Sequence, residues 1–333
     1  MDSTRPLSPT MSKINFSKQK KIDEIKECLS HDEVDLWRLR ELCLTEGGLM
    51  TAELRRSSWP LLVAVDPNDG TMLLDQIRVG KKGKKDRNAE GEDSFTADTE
   101  LISRDVGRAV YFRYPITEAT RGVDLSDRNV DYIESGQTML TKLIVTTISE
   151  NGGGGRLNYY QGFHDVASVI FVNMSRQPEL ACGILHQIAQ SHLRDTMMED
   201  FSYMSALLEI VFYPLLQIFD EDLHDYMILK ELGPTVFLTW LITLFSHDIH
   251  SEEIASRLFD AIIVSHPLMP LYLTIAILVQ PKNRQKLFCA DHSEAAMLQV
   301  VASSLLSGID HDFVSTHAGF STQDIIECAL DFM

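Results

Sequence analysis

The feature that most constrains the fold is a stripe of apolar residues in the second half of the chain. It consists of Phe237, Trp240, Leu241, Leu244 and Phe245, which stand at positions i, i+3, i+4, i+7 and i+8. This spacing brings all five side chains to one face of an α-helix. Strand residues would alternate between two faces, and such alternation is not sustained anywhere in the sequence. The pattern therefore predicts an all-α protein without a sheet.

Two segments lack this periodicity and are predicted to lie outside the folded core. Residues 1–15 are rich in Ser, Thr and Pro and are predicted to be disordered. Residues 80–99 carry a basic half and then an acidic half, which predicts a mobile insertion. We expect one folded domain over 16–333, with an N-terminal subdomain over about 16–175 and a C-terminal subdomain over about 176–333. Helices are predicted over 18–29, 33–45, 51–65, 101–112, 131–149, 180–192 and 204–219.

The overall charge limits the kinds of partner that the chain can bind. Its 333 residues carry a formal net charge of -18. Nucleic-acid binding rewards clustered Lys and Arg, so this acidic excess argues against it and favours a protein partner. The five cysteines are odd in number and scattered, without a C-x-x-C pair, which indicates reduced thiols and no zinc site. We therefore predict a cytoplasmic protein without a metal site.

No segment is predicted to span a membrane. The first fifteen residues are polar, which is not typical of a secretory signal. The most apolar segment, Ile262 to Val279, is interrupted by His266, Pro267 and Pro270. A membrane-spanning helix needs about 18 or more consecutive apolar residues. We therefore predict two buried core helices in this segment.

A polar and aromatic octet, Asn158 to Asp165, stands between four glycines and an apolar run. Glycine rarely lies inside a helix or strand, so the octet is predicted to mark the point where a loop meets a buried element. Its two tyrosines offer stiff amphipathic contact area, and Gln161 carries an amide that donates and accepts. Such a group suits the positioning of a water or polar ligand better than proton transfer. The structural alternative is a polar turn that caps a core helix.

Three short motifs in a fixed order resemble the signatures of the TBC domain, the Rab GTPase-activating fold. Each motif is weak alone, but the three in this order make the resemblance specific, and it covers about residues 46–330. The motifs are R-x-x-x-W at Arg55 and Trp59, I-x-x-D-x-x-R at Ile102, Asp105 and Arg108, and Y-x-Q-G at Tyr159, Gln161 and Gly162.

The resemblance implies a GTPase-activating protein that acts on a Rab-family small GTPase in its GTP-bound form. Arg108 is implied to be an arginine finger, which neutralises charge during phosphoryl transfer, and Gln161 a glutamine finger, which replaces the water-orienting glutamine of the GTPase. The chain would need no cofactor of its own, because GTP and Mg²⁺ are carried by the partner. Trp59 is also predicted to lie in the core, and Arg55 to donate an ion pair. The implied supporting residues are Asp105, Ile102, Tyr159, Tyr160, Gly162, Asp165, Arg55 and Trp59.

The finger assignment depends on the frame of the second motif. Arg104 and Arg113 are competing arginines, but only Arg108 lies three residues after the Asp and six after the Ile. Two positions depart from the family pattern: Ala109 replaces the usual Thr or Ser, and His164 stands where many relatives have Asn. Neither departure removes a finger residue, so both fingers are expected to be functional.

Two other functions remain open from the residues. All-α metal phosphohydrolases use His-Asp pairs as metal ligands, although these dipeptides are far apart here and most are predicted at helix ends, where they would act as caps. A non-catalytic Rab-binding scaffold is the second alternative, and the presence of both fingers argues against it. The dipeptides are His164-Asp165, His224-Asp225, His247-Asp248 and His311-Asp312.

The resemblance also implies a location. The segments Glu46–Leu49 and His266–Tyr272 are most similar to members of the family that are anchored in the endoplasmic reticulum. Those members carry a C-terminal anchor, and this chain stops at Met333 without one. We therefore expect a longer natural protein at the cytosolic face of the endoplasmic reticulum, with an early secretory pathway Rab as its partner.

Overall fold

The structure, a computed structural model, describes residues 9–66, 89–109, 130–149, 157–174, 177–289, 304–312 and 319–333. Within these ranges the chain is helical, as predicted, apart from one pair of very short strands. The helices of the first half are α1 (Pro9–Leu29), α2 (Leu36–Leu44), α3 (Ala52–Leu62), α4 (Ala89–Val106), α5 (Val130–Ser149), α6 (Phe163–Asn173) and α7 (Pro178–Ser191).

The second half continues with shorter helical pieces. A π-helical turn (Leu208–Phe212) joins two of them, and a 3₁₀ turn (Pro234–Phe237) precedes another. The elements are α8 (Ser202–Leu207), α9 (Tyr213–Phe219), α10 (Glu221–Leu229), α11 (Leu238–Ile242), α12 (Glu252–Val264), α13 (Met269–Leu278), α14 (Pro281–Cys289), β1 (Ile309–Asp310), β2 (Phe320–Ser321) and α15 (Thr322–Asp331).

Two helices begin earlier than the sequence analysis predicted. Helix α1 starts at Pro9, inside the segment 1–15 that was expected to be disordered. Helix α4 starts at Ala89 and so includes residues 89–99 of the expected mobile insertion. The rest of both segments, 1–8 and 80–88, lies outside the described residues, and the subdomain boundary near 175 stays a prediction.

The expectation of a protein without any sheet was wrong in one detail. Strands β1 and β2 pair in parallel, with Ile309 opposite Phe320 and Asp310 opposite Ser321. Two residues per strand are too few to produce a recognisable alternation in the sequence. The pair lies at the start of α15 and leaves the all-α class unchanged.

The apolar stripe is buried as predicted, but it does not form one continuous helix. Helix α11 ends at Ile242, and the next turn contains Leu244 and Phe245 with φ angles of 49° and 67°. The Phe245 amide donates to the Trp240 carbonyl at 2.8 Å, and the Leu244 amide donates to the Leu241 carbonyl at 3.3 Å. These two bonds form a Schellman-type C-cap, in which leucine occupies the left-handed position that usually favours glycine. The periodicity therefore predicted burial correctly and missed the turn.

The long apolar helix between Ser202 and Phe219 owes its packing to the π-helical turn. Its buried side chains, Met204, Leu208, Phe212 and Leu216, are spaced four residues apart. A regular α-helix of 3.6 residues per turn would rotate such a series off one face, and a wider π turn restores the alignment. Among the residues that the structure describes, this is the one helical stretch whose length and apolar composition would allow it to cross a bilayer. Core helices of soluble proteins also have this length and composition, so the observation is weak evidence for a membrane span.

Two buried ion pairs lie where the beginning of the chain meets its second half. Arg55 binds Asp260, with Nη2 2.9 Å from Oδ2 and Nε 3.0 Å from Oδ1. The same carboxylate accepts the Trp59 indole N–H at 2.9 Å and the Leu49 amide at 3.0 Å. Gly48 packs so closely that any Cβ on it would lie 2.6 Å from Asp260 Oδ2. The structure therefore confirms that Arg55 is an ion-pair donor and Trp59 a core residue.

The second pair extends this contact to the C-terminal helix. Arg257 Nε lies 2.8 Å from Asp312 Oδ2, and the Asp312 carboxylate also accepts from the amide of Gly47 and from the hydroxyl of Thr322. Burial alone would raise the pKa of Asp312, but the Arg257 guanidinium and these donors bring it below its ordinary value. Together, the two pairs fix α3, α12 and α15 around one interior.

Candidate functional site

The first part of the site is the C-terminal end of α4. Ile102 and Asp105 are buried, whereas Arg108 follows the end of the helix and its side chain is 59% exposed. The Arg108 amide donates to the Asp105 carbonyl at 2.9 Å, and its guanidinium forms an ion pair with the Asp105 carboxylate. The second motif therefore places a buried carboxylate directly beneath an accessible guanidinium.

The second part is the octet that leads into α6, and Tyr159 joins it to the first part. The Tyr159 hydroxyl donates to Asp105 Oδ2 at 2.9 Å, so one carboxylate holds both Arg108 and Tyr159. Burial and then the Asp105 charge raise the pKa of Tyr159 well above its ordinary value, which keeps this hydroxyl protonated. His164 Nδ1 lies 3.3 Å from the same hydroxyl, and burial lowers the pKa of His164.

Gln161 is the exposed residue of the octet, and its neighbours are anchored. The Tyr160 hydroxyl donates to the Ile242 carbonyl at 2.5 Å. Gly162 has a φ of 112° and lies so close to Thr243 that a Cβ on it would be 2.8 Å from Thr243 Cγ2. Both the left-handed backbone and the lack of space therefore require glycine after Gln161. The result is an exposed amide on a turn whose flanks are fixed.

Asp165 closes the octet from inside α6. Its carboxylate is buried and lies 2.7 Å from Nδ1 of His247, whose side chain is half-exposed. The hydrogen bond to Asp165 raises the pKa of His247 above its ordinary value. His164 Nε2 is 3.5 Å from the other Asp165 oxygen. Two of the four His-Asp dipeptides thus meet in space, although the sequence analysis described them as far apart.

These two dipeptides bind each other and do not create a metal site. The His247 ring nitrogen that faces Asp165 is already used by their hydrogen bond. Over the ranges that the structure describes, no three His, Cys, Asp or Glu side chains are grouped so that they could hold a metal ion. The metal-phosphohydrolase alternative therefore gains no support from the geometry.

The site brings together most of the residues that the motifs indicated. Arg55 and Trp59 are exceptions, because they are 6% and 0% exposed and act within the core at Asp260. The octet also satisfies its structural alternative in part, since Gly162 is the N-cap of the buried helix α6. Arg104 is exposed on α4, whereas Arg113 and the four glycines before the octet lie outside the described residues.

Sequence reasoning missed the segment that supports Gln161 from the other side. Ile242, Thr243 and His247 contact Tyr160, Gly162 and Asp165, respectively. They are about eighty residues away along the chain, as the separation of 82 for two of these contacts shows. The only local signal was the His247-Asp248 dipeptide, which was interpreted as a helix cap.

The fold and this arrangement define a class of protein. A family model of the Rab-GTPase-TBC domain matches residues 52–288, which include α3, the Arg108 turn, the octet and the 242–247 turn. The match spans most of the chain, and the chain therefore belongs to the Rab-GTPase-TBC domain family.

Particular relatives agree with this assignment. TBC1 domain family member 20 of Homo sapiens is 28% identical over 305 residues, which cover 92% of this chain and 67% of the relative. The GTPase-activating protein gyp10 of Schizosaccharomyces pombe is 24% identical over 86% of this chain and 68% of its own length.

Two solved structures share the fold at low sequence identity. The crystal structure of the Ypt/Rab-GAP domain of Gyp1p has a TM-score of 0.63 and 14% identity, with 87% of this chain and 96% of that chain covered. The Chlamydomonas flagellar RabGAP TBC domain has a TM-score of 0.60 and 12% identity, with 97% and 94% covered. These likenesses establish the helical architecture.

Proposed function

We propose that this chain stimulates GTP hydrolysis by a Rab-family small GTPase by inserting Arg108 and Gln161 into the partner's nucleotide site. The observation that carries the proposal is the shared anchor of the two turns. Both side chains are exposed, and the Asp105–Tyr159 hydrogen bond joins the turns that present them. A permanent positive charge and a neutral amide are thus exposed on two turns that one hydrogen bond joins.

The chemistry of each group fits one demand of the reaction. GTP hydrolysis passes through a transition state that spreads negative charge over the transferred phosphoryl oxygens and needs an aligned water. The planar guanidinium of Arg108 can bridge two oxygens at once. The Gln161 carboxamide can accept a hydrogen bond from a water and donate one to an oxygen. GTP and Mg²⁺ are supplied by the GTPase, so the chain contributes these two side chains only.

The resting position of Arg108 fits a finger that moves on encounter. Its guanidinium pairs with Asp105 and remains 59% exposed. Water or a phosphate can solvate the exposed guanidinium when it leaves, and the buried Asp105 carboxylate still has the Tyr159 hydroxyl as a partner. The more highly charged phosphates of GTP can therefore compete for Arg108, while Asp105 keeps its bond to Tyr159.

The partner is proposed to be a GTP-bound Rab of the early secretory pathway, met at the cytosolic face of the endoplasmic reticulum. This choice rests on the resemblance of the segments Glu46–Leu49 and His266–Tyr272 to members of the family that are anchored in the endoplasmic reticulum. The acidic charge of the chain fits a basic protein surface better than a nucleic acid.

The test is phosphate release from a panel of purified GTP-loaded Rabs. We expect wild-type protein to stimulate at least one Rab, Arg108→Ala to lose about 10³-fold or more of the stimulation, and Gln161→Ala to lose about 10²-fold or more. Arg104→Ala is the matched control, because Arg104 is also exposed on α4. Stimulation that survives in Arg108→Ala and fails in Arg104→Ala would reassign the finger.

The glutamine finger has its own test. A GTPase whose water-orienting glutamine is replaced should still respond to the wild-type protein, because Gln161 supplies the missing amide. Loss of response would contradict the two-finger mechanism while leaving activation itself established.

A further inference from the structure

We propose that His247 is a positioning residue for Gln161, and that the 242–247 turn acts as a clamp on the octet. This inference rests on the proposed function and deepens it. The His247 side chain binds Asp165, and its effect on the reaction passes through Asp165 and the start of α6.

The clamp consists of three contacts from one short turn to one short loop. The Ile242 carbonyl receives the Tyr160 hydroxyl, the Thr243 methyl group packs against Gly162, and the His247 imidazole binds the Asp165 carboxylate. The first two contacts flank Gln161 at positions 160 and 162, and the third lies four residues after it. Gln161 is therefore an exposed residue in a segment whose neighbouring residues are fixed by contacts with the 242–247 turn.

The backbone of the clamp is fixed in an unusual conformation. Leu244 and Phe245 have positive φ angles, which cost side-chain-bearing residues roughly 1–2 kcal/mol each. The packing of both side chains in the core offsets this cost, since they are 1% and 0% exposed. Because core packing fixes the conformation of this turn, the turn is suited to hold the octet in one position.

Charge makes the third contact dependent on pH. The titratable groups that face His247 are Asp165 and His164 on α6 and Asp248 on its own turn. The Asp165 carboxylate is 1% exposed, so its charge needs a nearby partner. An imidazolium at His247 supplies that partner with a charge-assisted bond, and a neutral imidazole supplies a weaker bond.

The direction of the pH effect follows from the pKa of His247. Because the pKa is raised above its ordinary value of 6.5, the charged pair is complete below about pH 6.5 and is lost as the pH rises through the raised value. The clamp should therefore hold Gln161 best at the acidic end of the neutral range, and stimulated hydrolysis should decrease toward alkaline pH.

The experiment compares wild type with His247→Gln between pH 6 and 8.5, at saturating protein and with each rate divided by that of the GTPase alone. Glutamine retains an N–H donor and cannot titrate. We expect His247→Gln to reduce the stimulated rate by about fivefold at pH 6 and to approach wild type at pH 8.5, with an unchanged concentration for half-maximal stimulation.

The matched control is His224→Gln. His224 on α10 makes a similar contact, with Nδ1 2.9 Å from Oδ1 of Asp225, and no contact of this pair involves the octet. We expect its rates to follow those of wild type at every pH. If His247→Gln also follows wild type at every pH, the inference is wrong while the proposed function stands.

A double variant separates positioning from a general effect on folding. If His247 acts through Gln161, adding His247→Gln to Gln161→Ala should change the residual rate by less than about twofold. A full fivefold effect in that background would overturn the inference, because His247 would then act on something other than Gln161.

Amide hydrogen exchange tests the clamp without any GTPase. Residues 157–165 should exchange at least about fivefold faster in His247→Ala than in wild type, and α10 should be unaffected. If wild-type protein stimulates no Rab, the proposed function fails, and this measurement still decides whether His247 holds the loop. Unchanged exchange would show that it does not.

Discussion

Two aspartate–arginine pairs, which contain the arginines of the first two motifs, have opposite roles in this molecule. Arg55 and Asp260 are both buried, and the carboxylate accepts four different N–H groups around it. In the second pair only Asp105 is buried, and the guanidinium of Arg108 remains largely exposed. An aspartate–arginine pair is therefore a fixed structural contact when both side chains are buried, and its guanidinium is available for binding when the arginine is exposed.

The difference has a physical basis in desolvation. A buried ion pair that loses one partner leaves an uncompensated charge in a poorly solvated place, so each partner is trapped by the other. When Arg108 leaves Asp105, water can solvate the exposed guanidinium, and the buried carboxylate keeps the hydrogen bond from the Tyr159 hydroxyl.

The largest effect is expected when Arg108 keeps its charge and loses its shape. Arg108→Lys should lower stimulated hydrolysis by about 10³-fold, because an ammonium cannot bridge two phosphate oxygens in the manner of a guanidinium. The melting temperature should be unchanged. Phosphate-release kinetics and a thermal melt check both statements, and a lysine variant with more than about a tenth of the wild-type rate would show that charge alone suffices.

The next effect is expected in the free energy of unfolding, without a change in stimulated GTP hydrolysis per folded molecule. Arg55→Met should lower the free energy of unfolding by about 3–5 kcal/mol, because Asp260 would remain buried without its cation. Denaturant titration measures this loss. Arg38→Met is the matched control, since Arg38 is half-exposed in its ion pairs with Glu24 and Glu41 and should cost no more than about 1 kcal/mol.

The outcome for activity separates the two pairs. The fraction of Arg55→Met that remains folded should stimulate the GTPase at the wild-type rate per molecule. A stable Arg55→Met protein without activity would place Arg55 in the functional surface. The Arg55–Asp260 pair would then not be purely structural.

A smaller effect is expected at the hydrogen bond between the two finger-bearing turns. Tyr159→Phe removes the donor to Asp105 and should lower the stimulated rate by about tenfold, which corresponds to about 1.4 kcal/mol. Tyr203→Phe changes an exposed tyrosine on α8 and is the control. If both variants retain the full rate, the shared anchor has no part in presenting the fingers.

The smallest effect is expected for the pH dependence of stability, through the buried side chain of Lys21. Lys21 donates to the Thr45 hydroxyl, and burial, followed by the Arg257 charge, lowers the pKa of Lys21 to about 8. The unfolded chain binds more protons than the folded one between this value and the ordinary 10.5, so stability should rise over that interval. Lys21→Met should remove the rise and add about 1 kcal/mol at pH 7.

Chemical denaturation at pH 7, 8 and 9.5 measures the slope. Lys20→Met changes the neighbouring lysine, whose side chain is 69% exposed, and should preserve the wild-type slope. A wild-type slope in Lys21→Met as well would mean that Lys21 is not the group whose proton is lost on folding.

Local chemistry in the sequence predicted much of this fold. The helix predicted over 51–65 corresponds to α3, and the side chain of Thr51 caps it by accepting from the Leu54 amide at 3.2 Å. The Ile262–Val279 segment contains the end of the core helix α12 and the whole of the core helix α13, and the break between them includes His266 and Pro267, whereas Pro270 lies in the first turn of α13. Each of these features depends on residues within one or two turns of each other, which is the range over which sequence patterns are informative.

The missing parts depend on contacts between distant residues. Nothing near Asp165 indicates that its partner is His247, and nothing near Arg55 indicates Asp260 beyond the general expectation of an ion pair. The left-handed turn at Leu244 escaped prediction because leucine has no intrinsic preference for it, and tertiary packing imposes it. The motifs located the two fingers, whereas the supports behind them appear only in three dimensions.

The joint at Asp260 has a consequence for how the protein is made. Arg55 precedes its carboxylate by 205 residues. At translation rates of about 5–20 residues per second, roughly 10 to 40 seconds separate the synthesis of the cation from that of its anion. During this interval the arginine destined for the interior must stay hydrated at the ribosome exit, so the N-terminal helices of a nascent chain cannot complete their packing until most of the domain has emerged.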